Sequence, residues 1–99
     1  MAKYRLTQKA VEDLNGIWEY TFDNWSEVQA DKYYNLLIDS FQNIANNPNL
    51  GKHYDKISFE LFGLKINRHI VFYRISIGQA VEIIRILHER MDLKNRIIE

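Results

Sequence analysis

Apolar residues recur at steps of three and four along the first half of the chain, and at steps of two along much of the second. Lys3–Leu6 opens with a brief alternation that puts Tyr4 and Leu6 on one face, as in a short strand. From Gln8 to about Phe22, Val11, Leu14, Trp18 and Phe22 follow a helical stripe that Ala10 and Ile17 widen. Thr7 stands before this stripe as its N-cap, because a threonine hydroxyl can accept from a free N–H of the first turn. Asp23 and Asn24 interrupt the pattern, and Ser26 with Gln29 has the spacing of a capping box. The second helix runs to about Asn46 and buries Ala30, Tyr33, Leu37, Phe41, Ile44 and Ala45. Asn46-Asn47-Pro48 ends it, since proline lacks the N–H that would continue the ladder. The short break between the helices predicts an antiparallel helical hairpin.

After a polar loop from Asn49 to Lys56, Ile57, Phe59 and Leu61 alternate with Ser58 and Glu60. Leu64 and Ile66 continue the alternation past Gly63. Ile70 and Phe72 then point one way, and Val71, Tyr73 and Ile75 the other. Ser76-Ile77-Gly78-Gln79 reads as a tight turn. Ala80 to Leu87 is apolar on both faces, which predicts a central strand. Met91 to Glu99 forms a charged tail with apolar Leu93, Ile97 and Ile98. The order β-α-α-β-β-β predicts a single α+β domain over residues 1–99, an antiparallel sheet with the helical hairpin on one face.

Composition narrows the functional classes. The 99 residues include no cysteine, so disulfides and thiolate metal sites are excluded. Met1 to Thr7 lacks the apolar core of a secretion signal, and no apolar run is long enough for a bilayer. A cytoplasmic protein is expected. Thirteen Lys and Arg balance thirteen Asp and Glu, whereas a protein that grips nucleic acid through phosphates usually carries a basic excess. His53 and Asp55 have no third metal ligand at a recognisable spacing. Neither a glycine-rich phosphate loop nor a nucleophile motif is present. No metal, cofactor or catalytic residue is assigned.

Two stretches carry a more specific signal. The first is Tyr4-Arg5-Leu6-Thr7, with Ala10, Asp13-Leu14, Gly16-Ile17, Tyr20-Thr21, Trp25, Gln29 and Tyr33 following. The second is Ile86-Leu87-His88-Glu89-Arg90-Met91-Asp92-Leu93, preceded by His69 and Val71-Phe72-Tyr73-Arg74. Together they resemble the ParE toxins of the RelE/ParE superfamily over nearly the whole chain. That resemblance implies the same β-α-α-β-β-β fold, a ParD-like antitoxin bound in a hetero-oligomer, and DNA gyrase as the target. It implies a toxin of a plasmid-stabilising toxin–antitoxin system that inhibits an enzyme and is not one itself.

Within this frame His88, Glu89, Arg90, Met91, Asp92 and Arg96 are candidates for target binding. Trp18, Tyr20, Trp25, Tyr34, Arg68 and Tyr73 are candidates for the antitoxin, because a groove rimmed by aromatics suits an amphipathic helix or an added strand. The rival within the superfamily is a RelE-like, ribosome-dependent messenger-RNA endoribonuclease. That chemistry needs a base, an acid and cations around the phosphate, and Lys65, Arg68, His69, Arg74, Arg85, His88 and Arg90 are available for it. Zero net charge and the LHERMD ending weigh against it. A histidine at a strand end is also more often a packing residue than a catalyst. A third alternative is a retargeted, non-toxic binding module.

Overall fold

Thr7 caps the first helix as its position predicts: its Oγ1 accepts from the Ala10 N–H at 3.1 Å and donates to the Ile84 carbonyl at 2.7 Å. One residue thus ends a strand, starts a helix and reaches the far end of the sequence. The computed structural model describes residues 2–78 and 80–98, so Gln79 of the expected turn and Glu99 of the tail lie outside the described residues. The elements are β1 (Tyr4–Leu6), α1 (Gln8–Asn24), α2 (Glu27–Asn46), a one-turn 3-10 helix (Pro48–Leu50), β2 (Lys52–His53), β3 (Phe62–Ile66), β4 (His69–Ile75), β5 (Val81–His88) and α3 (Leu93–Ile98).

The strands form one sheet in the order β1-β5-β4-β3-β2. Its class and the hairpin-over-sheet layering are as the periodicity predicts. Within the sheet, β1 runs parallel to β5, pairing Tyr4 with Val81 and Leu6 with Ile83, while the other neighbours are antiparallel. Local alternation encodes burial and not the direction of a partner about eighty residues away, so this pairing was not readable. β5 lies between β1 and β4, as expected of a strand apolar on both faces.

Three elements go beyond the predicted order, the first being the 3-10 turn Pro48–Leu50. β2 forms inside the expected polar loop and pairs only with Phe62 and Gly63. α3 forms inside the expected tail. Residues 57–61 depart the other way: the Tyr54 carbonyl accepts from the N–H groups of Ile57 and Ser58, folding the segment into turns and not a strand. Phe59 is consequently 79% exposed, while Ile57 and Leu61 turn inward.

Two apolar clusters flank the sheet. The helix side holds Ala10, Leu14, Leu37, Phe41 and Ile44 against Val71, Tyr73, Val81, Ile83 and Ile86. The opposite side holds Leu61, Ile70, Phe72 and Leu87, covered by Tyr54, Ile57, Leu93 and Ile97. β4 is therefore buried on both faces. Val11 and Phe22, expected on the buried stripe of α1, are exposed, because the helix turns only its Ala10–Leu14–Ile17 side to the sheet.

β1 ends at Leu6, which leaves the outer edge of β5 to be closed by other means. Thr7 takes the Ile84 carbonyl, and Asp13 Oδ2 accepts from the Ile86 N–H at 3.0 Å. The register of β4 and β5 shifts between Phe72, opposite Arg85, and Tyr73, opposite Ile83. Such a bulge redirects the side chains beside it. Arg85 donates from Nε and Nη2 to the two Asp13 oxygens at 2.7 and 3.0 Å, and from Nη1 to the Arg96 carbonyl at 2.8 Å. The side chains of this pair are only 9% and 16% exposed.

Removing one partner of a buried pair strands the other, so Asp13→Ala is expected to destabilise the fold by roughly 3 kcal/mol. Urea denaturation measures this. A loss under about 1 kcal/mol would place the pair with exposed salt bridges instead.

Candidate partner-binding groove

Beyond the Asp13–Ile86 hydrogen bond, the exposed flank of α1 and the ends of β4 and β5 diverge. Between them runs a groove of about 560 Å³, walled by Glu12, Asp13, Gly16, Ile17 and Tyr20 on one side and by His69, Ile86, His88, Arg90 and Met91 on the other. A second lobe of about 460 Å³ shares Tyr20, His69 and His88 and continues past Thr21 and Tyr33 to Trp25, Gln29, Asn67 and Arg68. The two lobes make one trough from Met91 to Trp25.

A tight connection sets one wall. Asn67 adopts φ 53°, a conformation that asparagine tolerates better than most residues, and with Arg68 it joins Ile66 to His69 in two residues. The register then places His69 directly across from His88, their rings 5.3 Å apart and nearly perpendicular. Tyr33 of α2 shares a 2.7 Å hydrogen bond with His69 Nδ1 and donates to the Ile66 carbonyl. His88 Nδ1 accepts from the Arg90 N–H at 3.1 Å.

Burial governs the ionisation of this cluster. It lowers the His69 pKa from 6.5 to about 4, with His88 adding to the effect and Asp13 opposing it. Burial also raises the Tyr33 pKa to about 12. At neutral pH the floor of the trough is therefore an uncharged His69–Tyr33 pair. The cations on its rim are Arg68 and Arg90, and Glu12 lies on the helix wall.

Six of the predicted partner residues converge here: Tyr20, Trp25 and Arg68 from one set, His88, Arg90 and Met91 from the other. The sequence separates them by up to 71 positions, Tyr20 to Met91, and the trough joins them. Trp25 is 75% exposed. Glu89 lies beside the trough, paired with Lys65 at 3.1 Å and Arg68 at 3.9 Å; its pKa is lowered chiefly by the Lys65 hydrogen bond. Asp92 holds the start of α3 through the Asn95 side chain at 2.6 Å. Arg96 sits in α3, where its carbonyl serves Arg85.

Trp18 and Tyr34 face a different notch, with Asn15, Glu19 and Asp31; Trp18 donates to Asp31 and stacks on Phe22. Tyr73 requires correction as a partner contact. It is fully buried, and its hydroxyl donates to the Pro48 carbonyl and accepts from the Gly51 N–H. Alternation placed Tyr73 on a face without indicating that α2 and the 3-10 turn cover that face.

The ribonuclease candidates scatter. Arg74 donates to Ser58, Arg85 binds Asp13, and Lys65 pairs with Glu89. Sequence reasoning treated Tyr33 as core and missed its link to His69; the two-residue step from Ile66 to His69 was the signal available. His53 Nδ1 lies 3.8 Å from Asp55, and among the described residues no group of three His, Asp or Glu could hold a metal ion. Among them, too, no helix is long and apolar enough to cross a membrane.

The sequence matches, over residues 4–93, a family described as the ParE toxin of the type II toxin–antitoxin system parDE. The toxin ParE1 of Caulobacter vibrioides is 35% identical over 94 residues, spanning 95% of this chain and 96% of that one. Two solved structures share the fold at 19% identity. One is a chromosomal ParDE system from P. aeruginosa, with a TM-score of 0.76 over 89% of this chain and 96% of that one. The other is the toxin–antitoxin complex RelBE2 from Mycobacterium tuberculosis, with a TM-score of 0.67 over 88% and 96%.

The ionisation of His69 sets a pH dependence. Above pH 6.5 it is neutral folded or unfolded. Below that, the unfolded chain takes up a proton that the folded chain refuses until about pH 4, so stability falls as pH drops through this window. His69→Gln removes that contribution. Thermal midpoints recorded from pH 7.5 to 4 should fall less steeply for the variant, and parallel curves would contradict the assignment.

Proposed function

The chain belongs to the ParE toxin family of type II toxin–antitoxin systems, and from this premise we propose that it inhibits DNA gyrase by protein binding and is neutralised by a ParD-like antitoxin. The observation that carries the reading is the trough, whose aromatic and aliphatic walls carry cations at the rim. Large aromatic and arginine side chains are the groups on which protein interfaces most depend. Three antitoxin candidates, Tyr20, Trp25 and Arg68, and three target candidates, His88, Arg90 and Met91, line this one trough. An antitoxin seated there covers Arg90 and Met91, so neutralisation follows from occupancy of a shared surface. The protein acts in the cytoplasm, where such a target resides, and acts as an inhibitor with no catalytic step of its own.

The likeness of fold to RelBE2 keeps the ribonuclease reading as the comparison to test. His69, one of its candidate bases, has its pKa lowered to about 4 by burial, which makes it a weak base, and it is engaged with Tyr33; Arg74 and Arg85 point their charge elsewhere. These facts favour binding over phosphate chemistry.

Purified protein at stoichiometric ratio is expected to block supercoiling by gyrase, and an Arg90→Ala/Met91→Ala variant to lose at least tenfold in potency, consistent with the loss of central interface contacts. Unimpaired supercoiling at excess toxin would remove gyrase as the target. Transcripts cleaved within translating ribosomes would establish the ribonuclease in its place.

A further inference from the structure

Three of the four glycines have a reason to be glycine inside this chain. A Cβ on Gly51 would come within 2.5 Å of the Tyr73 hydroxyl, and one on Gly63 within 2.5 Å of the Tyr54 ring. Gly78 adopts φ 87°, which other residues rarely accept. Gly16 differs. It lies in the interior of α1, where glycine is less stable than alanine, and a Cβ there would meet nothing within 4 Å. Folding gains nothing from glycine at this position.

The open side of Gly16 faces the trough, between Glu12 one turn before and Tyr20 one turn after. A glycine at such a point lets a second backbone approach closely, and helix axes ordinarily stay apart by the side chains at their contact. The two lobes run continuously along α1 from Met91 to Trp25, a shape that fits a rod more closely than a compact ligand. Ile17, Tyr20 and Met91 offer the apolar contact. Arg68 and Arg90 lie on the sheet side, opposite Glu12, so the complementary occupant carries its carboxylates on that side.

We propose that Gly16 is the crossing point at which an acidic amphipathic helix of the antitoxin packs into the trough, and that it sets which antitoxins fit. The inference rests on the reading of the chain as an antitoxin-neutralised toxin. It adds the contact that decides specificity: a side chain at position 16 holds the incoming helix away from α1.

The test uses separately purified toxin and the protein encoded by the adjoining reading frame, with calorimetry for binding and thermal denaturation for stability. Gly16→Ala is expected to raise the melting temperature by roughly 4–8 °C while weakening binding about tenfold, and Gly16→Gln to weaken it about a hundredfold. A gain in stability beside a loss in affinity separates this from misfolding. Asn15→Ala, on the side of α1 that faces the Trp18 notch, is expected to keep its affinity. Raising salt from about 0.05 to about 0.5 M should weaken the unmodified chain more than an Arg68→Ala/Arg90→Ala variant. Unchanged affinity of Gly16→Gln overturns the crossing point, and an equal salt response overturns the acidic occupant. If the unmodified toxin itself fails to bind, the antitoxin reading falls and this inference falls with it.

Discussion

The Arg85–Asp13 pair is the constraint on which the rest of the structure depends. Asp13 is both the partner of a guanidinium and the acceptor for the Ile86 N–H, so it completes the β5 edge that β1 is too short to cover. Arg85 in turn reaches the last helix through the Arg96 carbonyl. Two side chains therefore set the position of α1 against the sheet and of α3 behind it. The trough is the space left beyond that junction, and its width follows from where Asp13 pins the helix. Arg85 could be read from sequence as a cation for phosphate chemistry; in the fold it acts as a staple, and its charge is taken up in pinning α1 to β5.

Helical periodicity anticipated the inward face of α2 closely, since Ala30, Leu37, Phe41, Ile44 and Ala45 are all buried. It anticipated both caps, where Thr7 and Ser26 accept from N–H groups three residues on. It was less informative where burial comes from an element that the local pattern cannot name. Ile57 and Leu61 alternate with polar residues because a folded loop turns them onto Phe72 and Leu87, and not because they lie in a strand. Val11 and Phe22 have the spacing of core residues, yet both stay exposed, with Phe22 stacked on Trp18.

The site was legible in its components and not in its assembly. Tyr20, Trp25, Arg68, His88, Arg90 and Met91 were each named from residue type or from the family resemblance, but as two sets assigned to two partners. Their convergence depends on the β4–β5 register and on the Asn67-Arg68 connection, neither of which leaves a period in the sequence. Tyr73 shows the converse. An aromatic on a strand face resembles an interface residue until the turn that covers it is known. His69 and Tyr33 form a pair only because α2 crosses the end of β4, so their ionisation states are properties of the packing and not of either residue.

The parallel pairing of β1 with β5 has a consequence for the order of assembly. β1 comes first in the chain, and β5 is its only neighbour in the sheet; the Thr7–Ile84 hydrogen bond spans 77 positions. Helices and the β3–β4 hairpin can form from local contacts, whereas β1 has nothing to join until the last strand exists. Contacts of such long range form slowly because their loop closure comes before their reward. The Asp13 junction carries the same delay. β1 is thus placed only once β5 has formed, and the trough wall that α1 supplies takes its final position only when that long-range pairing is made.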